Sequence, residues 1–252
     1  MSKFKCAGMT IVTPVILLTS IACGSISSGS SDDVNNKNIF QQYNVWYDKE
    51  KEEVRTFAQF RFGGSDGTTL ILDSDSKVTA NSIAMIETNK LQLNPALGGT
   101  YYVRTFKLGD LAGRRINFRY NNNLNESFQN TIVIPETLPS VKPISSEQIK
   151  KIRAEGLTLN IENLEPTQNL RDVLCRLSSR VDGSQKQTYM DPKTQKCFFD
   201  TEQFASLDSD IYRIELKATW LVESFGGRTY ITVVNRPAEI EIPADSRILW
   251  ND

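Results

Sequence analysis

The chain contains no histidine in 252 residues. That absence excludes Ser-His-Asp and Cys-His catalysis, histidine metal centres and histidine-based pH switching, because each needs an imidazole that titrates or ligates near neutrality. Carboxylate-only or lysine-only chemistry survives the exclusion. An excess of charge of one sign is also missing, with 29 basic against 30 acidic residues. No global field therefore points to nucleic acid or to a strongly acidic partner. A long hydrophobic run is missing as well. A membrane-spanning helix needs about 20 apolar residues. The uncharged stretch Met9–Ile21 is shorter and is interrupted by Thr10, Thr13, Pro14, Thr19 and Ser20.

Lys3 and Lys5 precede this stretch, and Leu17-Leu18-Thr19-Ser20-Ile21-Ala22-Cys23 closes it. A basic start, a short apolar core and a small residue before a cysteine form the three regions of an export signal. The series resembles a bacterial lipoprotein signal peptide spanning 1–22, with Ser20 where such signals usually carry Leu. The resemblance implies cleavage before Cys23 and diacylglyceryl transfer to its thiol. Several acyl chains at about 0.8 kcal/mol per buried CH₂ make a stable anchor. Gly24, rather than Asp, follows the cysteine, which in enterobacterial-type sorting implies the outer membrane. A simple secretory signal is the rival reading.

Four cysteines are present. Under the lipoprotein reading Cys6 is removed and Cys23 is acylated, which leaves Cys175 and Cys197 in an oxidising compartment. A disulfide is expected, closing a loop of roughly 20 residues worth about 3 kcal/mol. The rival readings are a reduced core pair and a metal site. Two isolated cysteines without histidine do not complete a tetrahedral zinc shell. Nothing in the chain asks for a metal or a cofactor.

Residues 24–38 (GSISSGSSDDVNNKN) are almost devoid of apolar side chains. Such a composition cannot offset the entropy of ordering, so a flexible tether over 23–38 is expected, with a span of roughly 20 Å. From Ile39 the pattern has period two. Val54, Ala58, Phe60 and Phe62 fall on one face, with Arg55, Gln59 and Arg61 on the other. Residues 116–120, 157–161 and 212–216 repeat the scheme, and turn clusters such as Gly63–Gly67, Asp182-Gly183 and Gly226-Gly227 separate them. This alternation predicts half-buried strands and an all-β sandwich class. Helix signals are confined to residues 145–152, with Ser145 as N-cap and Gln148 closing a capping box, and to residues 201–207.

A weak repeat sets the expected domain count. Residues 102–106, then Gly113-Arg114, then Thr131–Pro135 recur in order as residues 212–216, Gly227-Arg228 and Glu239–Pro243. The offset is close to the length of an immunoglobulin-type sandwich, about 100 residues. The loop-then-Tyr strands resemble those of bacterial Ig-like domains. The expectation is therefore two tandem Ig-like β-sandwiches, 39–139 and 140–246, joined by a stiff Pro-containing linker at 138–143.

Candidate sites are weighed against plainer readings. Asp73-Ser74-Asp75-Ser76 has the start of a calcium loop, but Val78 and Ala84 stand where an EF-hand needs Gly and Glu, so a solvated turn is expected. Gly63–Gly67 and Gly226-Gly227-Arg228 are read as hairpin turns rather than phosphate cradles. Arg104, Arg114, Arg115 and Arg119 with Tyr101, Tyr102 and Tyr120 form a candidate cationic-aromatic patch, but an ordinary solvent face with a tyrosine-rich edge is the favoured reading. Trp46, Tyr47 and Trp220 are candidate sugar-stacking aromatics, with core placement favoured. Glu52 with Glu53 and Glu162 with Glu165 carry no glycosidase logic at sequence level. No catalytic residue is assigned. The function read from these features is a non-catalytic, lipid-anchored envelope protein that binds or scaffolds another envelope component. A carbohydrate- or peptide-binding module is the alternative, and a hydrolase ranks last.

Overall fold

The computed structural model describes residues 28–73, 75–88, 99–164, 170–180, 183–205, 210–224, 226–242 and 247–250. The signal segment and Cys23 lie outside the described residues. In chain order the first half forms β1 (Gly29–Ser30), β2 (Ile39–Asp48), β3 (Glu53–Phe62), β4 (Thr68–Ile71), β5 (Lys77–Ala80), β6 (Ile83–Ala84), β7 (Ile86–Thr88), β8 (Tyr101–Lys107), β9 (Arg115–Asn121) and β10 (Ser127–Val133). The second half forms β11 (Ser140–Val141), α1 (Ser146–Glu155), β12 (Leu157–Glu162), β13 (Leu170–Ser179), β14 (Gln185–Tyr189), β15 (Lys196–Phe199), α2 (Thr201–Ala205), β16 (Asp210–Ser224), β17 (Gly227–Ile242) and β18 (Arg247–Trp250). The protein is all-β, as its alternation predicts.

Among the described residues the strands make one large sheet and two small ones. The large sheet has 11 strands and runs β1-β4-β3-β2-β17-β16-β13-β14, with β8 also on β3, β7 on β8 and β18 on β17. The order β10-β9-β5-β6 forms a second sheet and β11-β12-β15 a third. The second sheet covers the β2–β3 part of the large one. Tyr43 of β2 packs on Phe118 of β9 at 4.6 Å, and Phe60 of β3 on Tyr120 at 4.5 Å. The third sheet covers the β13–β17 part, where Leu157, Leu159 and Phe199 are fully buried and Cys175 of β13 is bonded to Cys197 of β15. The disulfide thus ties the two layers of this half together.

The expected division at 138–143 does not interrupt this architecture. β2 and β17 pair in parallel from Gly227 opposite Gln41 to Val234 opposite Asp48. Ser140 and Val141 pair with β12, and Asn235 donates to the Pro139 carbonyl at 2.8 Å. One core cluster runs through both halves. Two separate Ig-like sandwiches are therefore not established by the strand pairing. The strands of the repeat also occupy unequal places, since β10 lies in the second sheet while Glu239 and Ile240 lie in the large one. A period-two pattern reports a half-buried strand, not the sheet to which that strand belongs.

The tether is shorter than composition predicts. Gly29 and Ser30 pair in parallel with Leu70 and Ile71 of β4. Ser28 Oγ lies 3.0 Å from Thr69 Oγ1 and 2.8 Å from Thr100 Oγ1, and buried Ser31 accepts from the Asp73 amide at 3.0 Å. Asn36 donates to Asn123, which donates to Asp32. Strand pairing and side-chain hydrogen bonds, with Val34 packed against the core, order residues 28–38, and hydropathy does not register the hydrogen bonds.

Helix α1 starts at the predicted cap, with Ser145 Oγ accepting from the Gln148 amide at 3.2 Å. The Gln148 side chain does not close the box but donates to the Thr158 carbonyl at 2.9 Å. The reciprocal box belongs to α2. Asp200 accepts from the Gln203 amide at 2.8 Å, and Gln203 accepts from the Asp200 amide at 2.9 Å.

Burial pushes the Tyr102 and Tyr120 phenols up to about 12 and raises Tyr43 further still. Between pH 10 and 12 the unfolded chain loses these protons and the native state keeps them. The native state then binds more protons, so stability falls as pH rises through that window. Alkaline unfolding followed by far-UV dichroism is expected to set in above pH 10, with the ultraviolet signal of tyrosinate arriving together with unfolding. Tyrosinate appearing well before unfolding contradicts this burial.

Candidate functional site

The large sheet has two faces with different fates. Its inner face is covered by the two small sheets. Among the described residues, no sheet or helix covers the middle of the outer face. Strand registry fixes which side chains share it. One row crosses the strands as Arg55, Trp46, Thr232, Thr219 and Asp172. The next holds Asp48, Val234, Lys217, Leu174 and Tyr189. Phe57, Asn44 and Tyr230 begin a third.

Apart from Arg55, Asp48 and Val234, these side chains line a groove of about 350 Å³ across β2, β17, β16, β13 and β14. Trp46 and Tyr230 are half-buried on it, and Tyr189 is 65% exposed at the β14 end. Four strand spacings at about 4.8 Å each separate β2 from β14, so the aromatic ends stand roughly 19 Å apart. The Lys217 ammonium lies 4.8 Å from the Trp46 ring centre, and the Arg171 guanidinium 5.4 Å from that of Tyr230. Thr219 and Thr232 meet in the groove at 3.4 Å between hydroxyls. Beside Trp46, buried Phe57 and Tyr101 pack at 6.1 Å, with Val103 against them. Burial lowers the Lys217 pKa, and the neighbouring Arg176 lowers it further.

A chain of ion pairs flanks the groove. Arg176 meets Glu215 at 3.1 Å, Glu215 meets Arg236 at 3.0 Å, and Arg236 meets Asp48 at 2.9 Å. A larger cleft of about 780 Å³ lies at the junction of the halves and includes Arg114, Glu136, Arg213 and Arg236. There Glu50 joins Arg213 and Arg236, and Glu239 joins Arg180 and Arg213. The pairs of Glu50 with Arg213 and Arg236 cross the junction, so the cleft is a brace between halves. Glu239 is buried, while Glu50 and Arg180 are about half exposed, and the exposed pairs contribute little by themselves.

The candidate cationic patch is dispersed. Arg114 donates to the Ile134 and Pro135 carbonyls and lies over Tyr47 at 5.7 Å. Arg115 and Arg119 face outward from the second sheet, whereas Tyr102 and Tyr120 turn into the core and Tyr101 packs on Phe57. Of the candidate stacking aromatics, Tyr47 and Trp220 are core residues and Trp46 reaches the outer face. Glu53 pairs with Arg55, Glu162 accepts from Ser140 at 3.4 Å, and Glu165 lies outside the described residues. Asp73 and Ser76 close a turn, and no group of three metal-ligating side chains occurs among the described residues. Gly63–Gly67 also spells the Gly-x-Ser-x-Gly of hydrolase nucleophile turns. Here it joins β3 to β4 rather than a strand to a helix, and Ser65 meets only Asp66 among the described contacts.

Lys217, Tyr230, Tyr189 and Arg171 were not legible as site residues. Their signal is faint: Arg228, Tyr230 and Thr232 alternate with the buried Thr229, Ile231 and Val233. No helix among the described residues is long and apolar enough to cross a membrane. Comparison with protein-family models finds no match, and comparison with curated proteins finds none either.

Proposed function

We propose that this protein is a non-catalytic binding protein of the cell envelope, anchored in the outer membrane through acylated Cys23. Its outer sheet face holds the ligand, and each covered part of the large sheet is an Ig-like module. The observation that carries this reading is the open groove of Trp46, Tyr230 and Tyr189 set among Thr219, Thr232, Asn44 and Gln42. Aromatic faces beside hydroxyls and amides suit the apolar and polar faces of a sugar ring. An apolar peptide partner would ask for a wider hydrophobic patch. The ligand class this geometry favours is therefore carbohydrate.

Two measurements test the reading. Titration with envelope-derived oligosaccharides is expected to show binding that Trp46→Ala or Tyr230→Ala weakens by about tenfold or more. Phe198→Ala, on the outer face of the third sheet, should leave binding unchanged. Equal binding by the Trp46 and Tyr230 variants refutes the site. Cys23→Ser is expected to move the protein from the membrane to the soluble fraction, and retention in the membrane refutes the anchor.

A further inference from the structure

We infer that the ligand of this groove is an acidic glycan bearing carboxylates, and that Lys217 is the residue that binds its charge. The inference rests on the carbohydrate reading of the outer face. Three charged side chains border the groove: Arg171, Asp172 and Lys217. Arg171 and Asp172 pair with each other at 3.5 Å. Lys217 has no carboxylate within ion-pairing distance among the described residues. The acidic groups that influence it are Asp172 and Glu215. Asp172 is engaged by Arg171, and Glu215 by Arg176 and Arg236.

One half-buried cation is thus left over in the middle of the face, aimed by its contact with Trp46. Arg176 repels it, and burial penalises its charge. A carboxylate arriving beside it supplies the missing partner in a partly desolvated site, where a charge-assisted hydrogen bond is strong. The pairing suits a carboxylate better than a phosphate. One ammonium balances the single charge of a carboxylate, whereas a phosphate monoester carries up to about two, and the nearest guanidinium is already tied to Asp172. Backbone amides in the middle of this sheet are committed to strand pairing on both sides, so they form no anion nest. For the same reason an acidic peptide cannot add itself as a strand beside Lys217, whereas a glycan needs only side-chain partners.

The full mature chain is titrated by calorimetry with oligomers of galacturonate, of alginate and of hyaluronate, each compared with its carboxyl-reduced form. At least one acidic oligomer is expected to bind about tenfold tighter than its neutral counterpart. Lys217→Gln should bring the acidic form down to the neutral level, Lys217→Arg should retain most of the preference, and Trp46→Ala should weaken both forms. Unchanged thermal midpoints of the variants establish that they fold. Equal affinity for acidic and reduced forms, untouched by Lys217→Gln, overturns the inference and leaves carbohydrate binding standing. Failure of every glycan, or binding of polyglutamate instead, overturns both.

Discussion

Replacing Gly227 by alanine is expected to destabilise the whole protein by at least about 3 kcal/mol, a large loss for one methyl group. Gly227 opens β17 opposite Gln41 of β2. A Cβ placed there would lie 1.7 Å from the Gln41 carbonyl oxygen and 2.9 Å from its amide nitrogen. Both atoms belong to backbone, so no side chain can swing aside. The methyl must push β2 and β17 apart at the start of the ladder that joins the halves. Urea unfolding should show one transition shifted to lower denaturant. Gly109→Ala, where an added Cβ meets nothing within 4 Å, is the control and should stay within about 0.5 kcal/mol of the parent. Two transitions, with only one shifted, would mean that the halves do not depend on the shared sheet.

Removing the Cys175–Cys197 bond is expected to have an effect of similar size. The cysteines are 22 positions apart and both are fully buried, one in each layer. Freeing that loop in the unfolded chain costs about 3 kcal/mol in the chain-entropy model, and paired alanines add the loss of packing around two sulfur atoms. Cys175→Ala/Cys197→Ala should therefore lower stability by roughly 3–5 kcal/mol. The bond lies in the second half, yet the loss should appear across the single transition, because β17 carries the strain into β2. Reductant alone should act slowly on the folded protein, since both sulfurs are shielded. Two freely alkylated thiols in the native protein would contradict the bond itself.

Much of the local structure was legible because it depends on nearest neighbours. Alternation marked β3, β9, β12 and β16, and glycine clusters marked the β3–β4 and β16–β17 hairpins. Ser145 announced α1, and the cysteine count announced the disulfide. What was not legible is long-range. Nothing in Gln41–Asp48 or Gly227–Val234 states that these strands pair in parallel, yet that pairing fuses the halves. The ordered segment 28–38 was missed because serine and asparagine hydrogen bonds fix it with little apolar burial. Trp46 was named as a candidate with core placement favoured, whereas it reaches the outer face, and Lys217, Tyr230 and Tyr189 become its neighbours only once five strands are laid side by side. The candidate arginine patch, ranked below a plain solvent face, does not assemble for the converse reason. Residues adjacent in sequence on a strand point to opposite faces, so Arg119 and Tyr120 never meet.

The proposed binding surface is the outer face of the large sheet. Photo-crosslinking in intact cells tests it most directly, with benzoylphenylalanine placed singly at Tyr189, Tyr230, Phe198 and Val133. Tyr189 and Tyr230 lie on the outer face of the large sheet, Phe198 on that of the third sheet, and Val133 is exposed on β10 of the second. Adducts are expected from positions 189 and 230, and they should disappear when Trp46→Ala is introduced. Adducts from 198 or 133 alone, with none from the groove, would contradict the account.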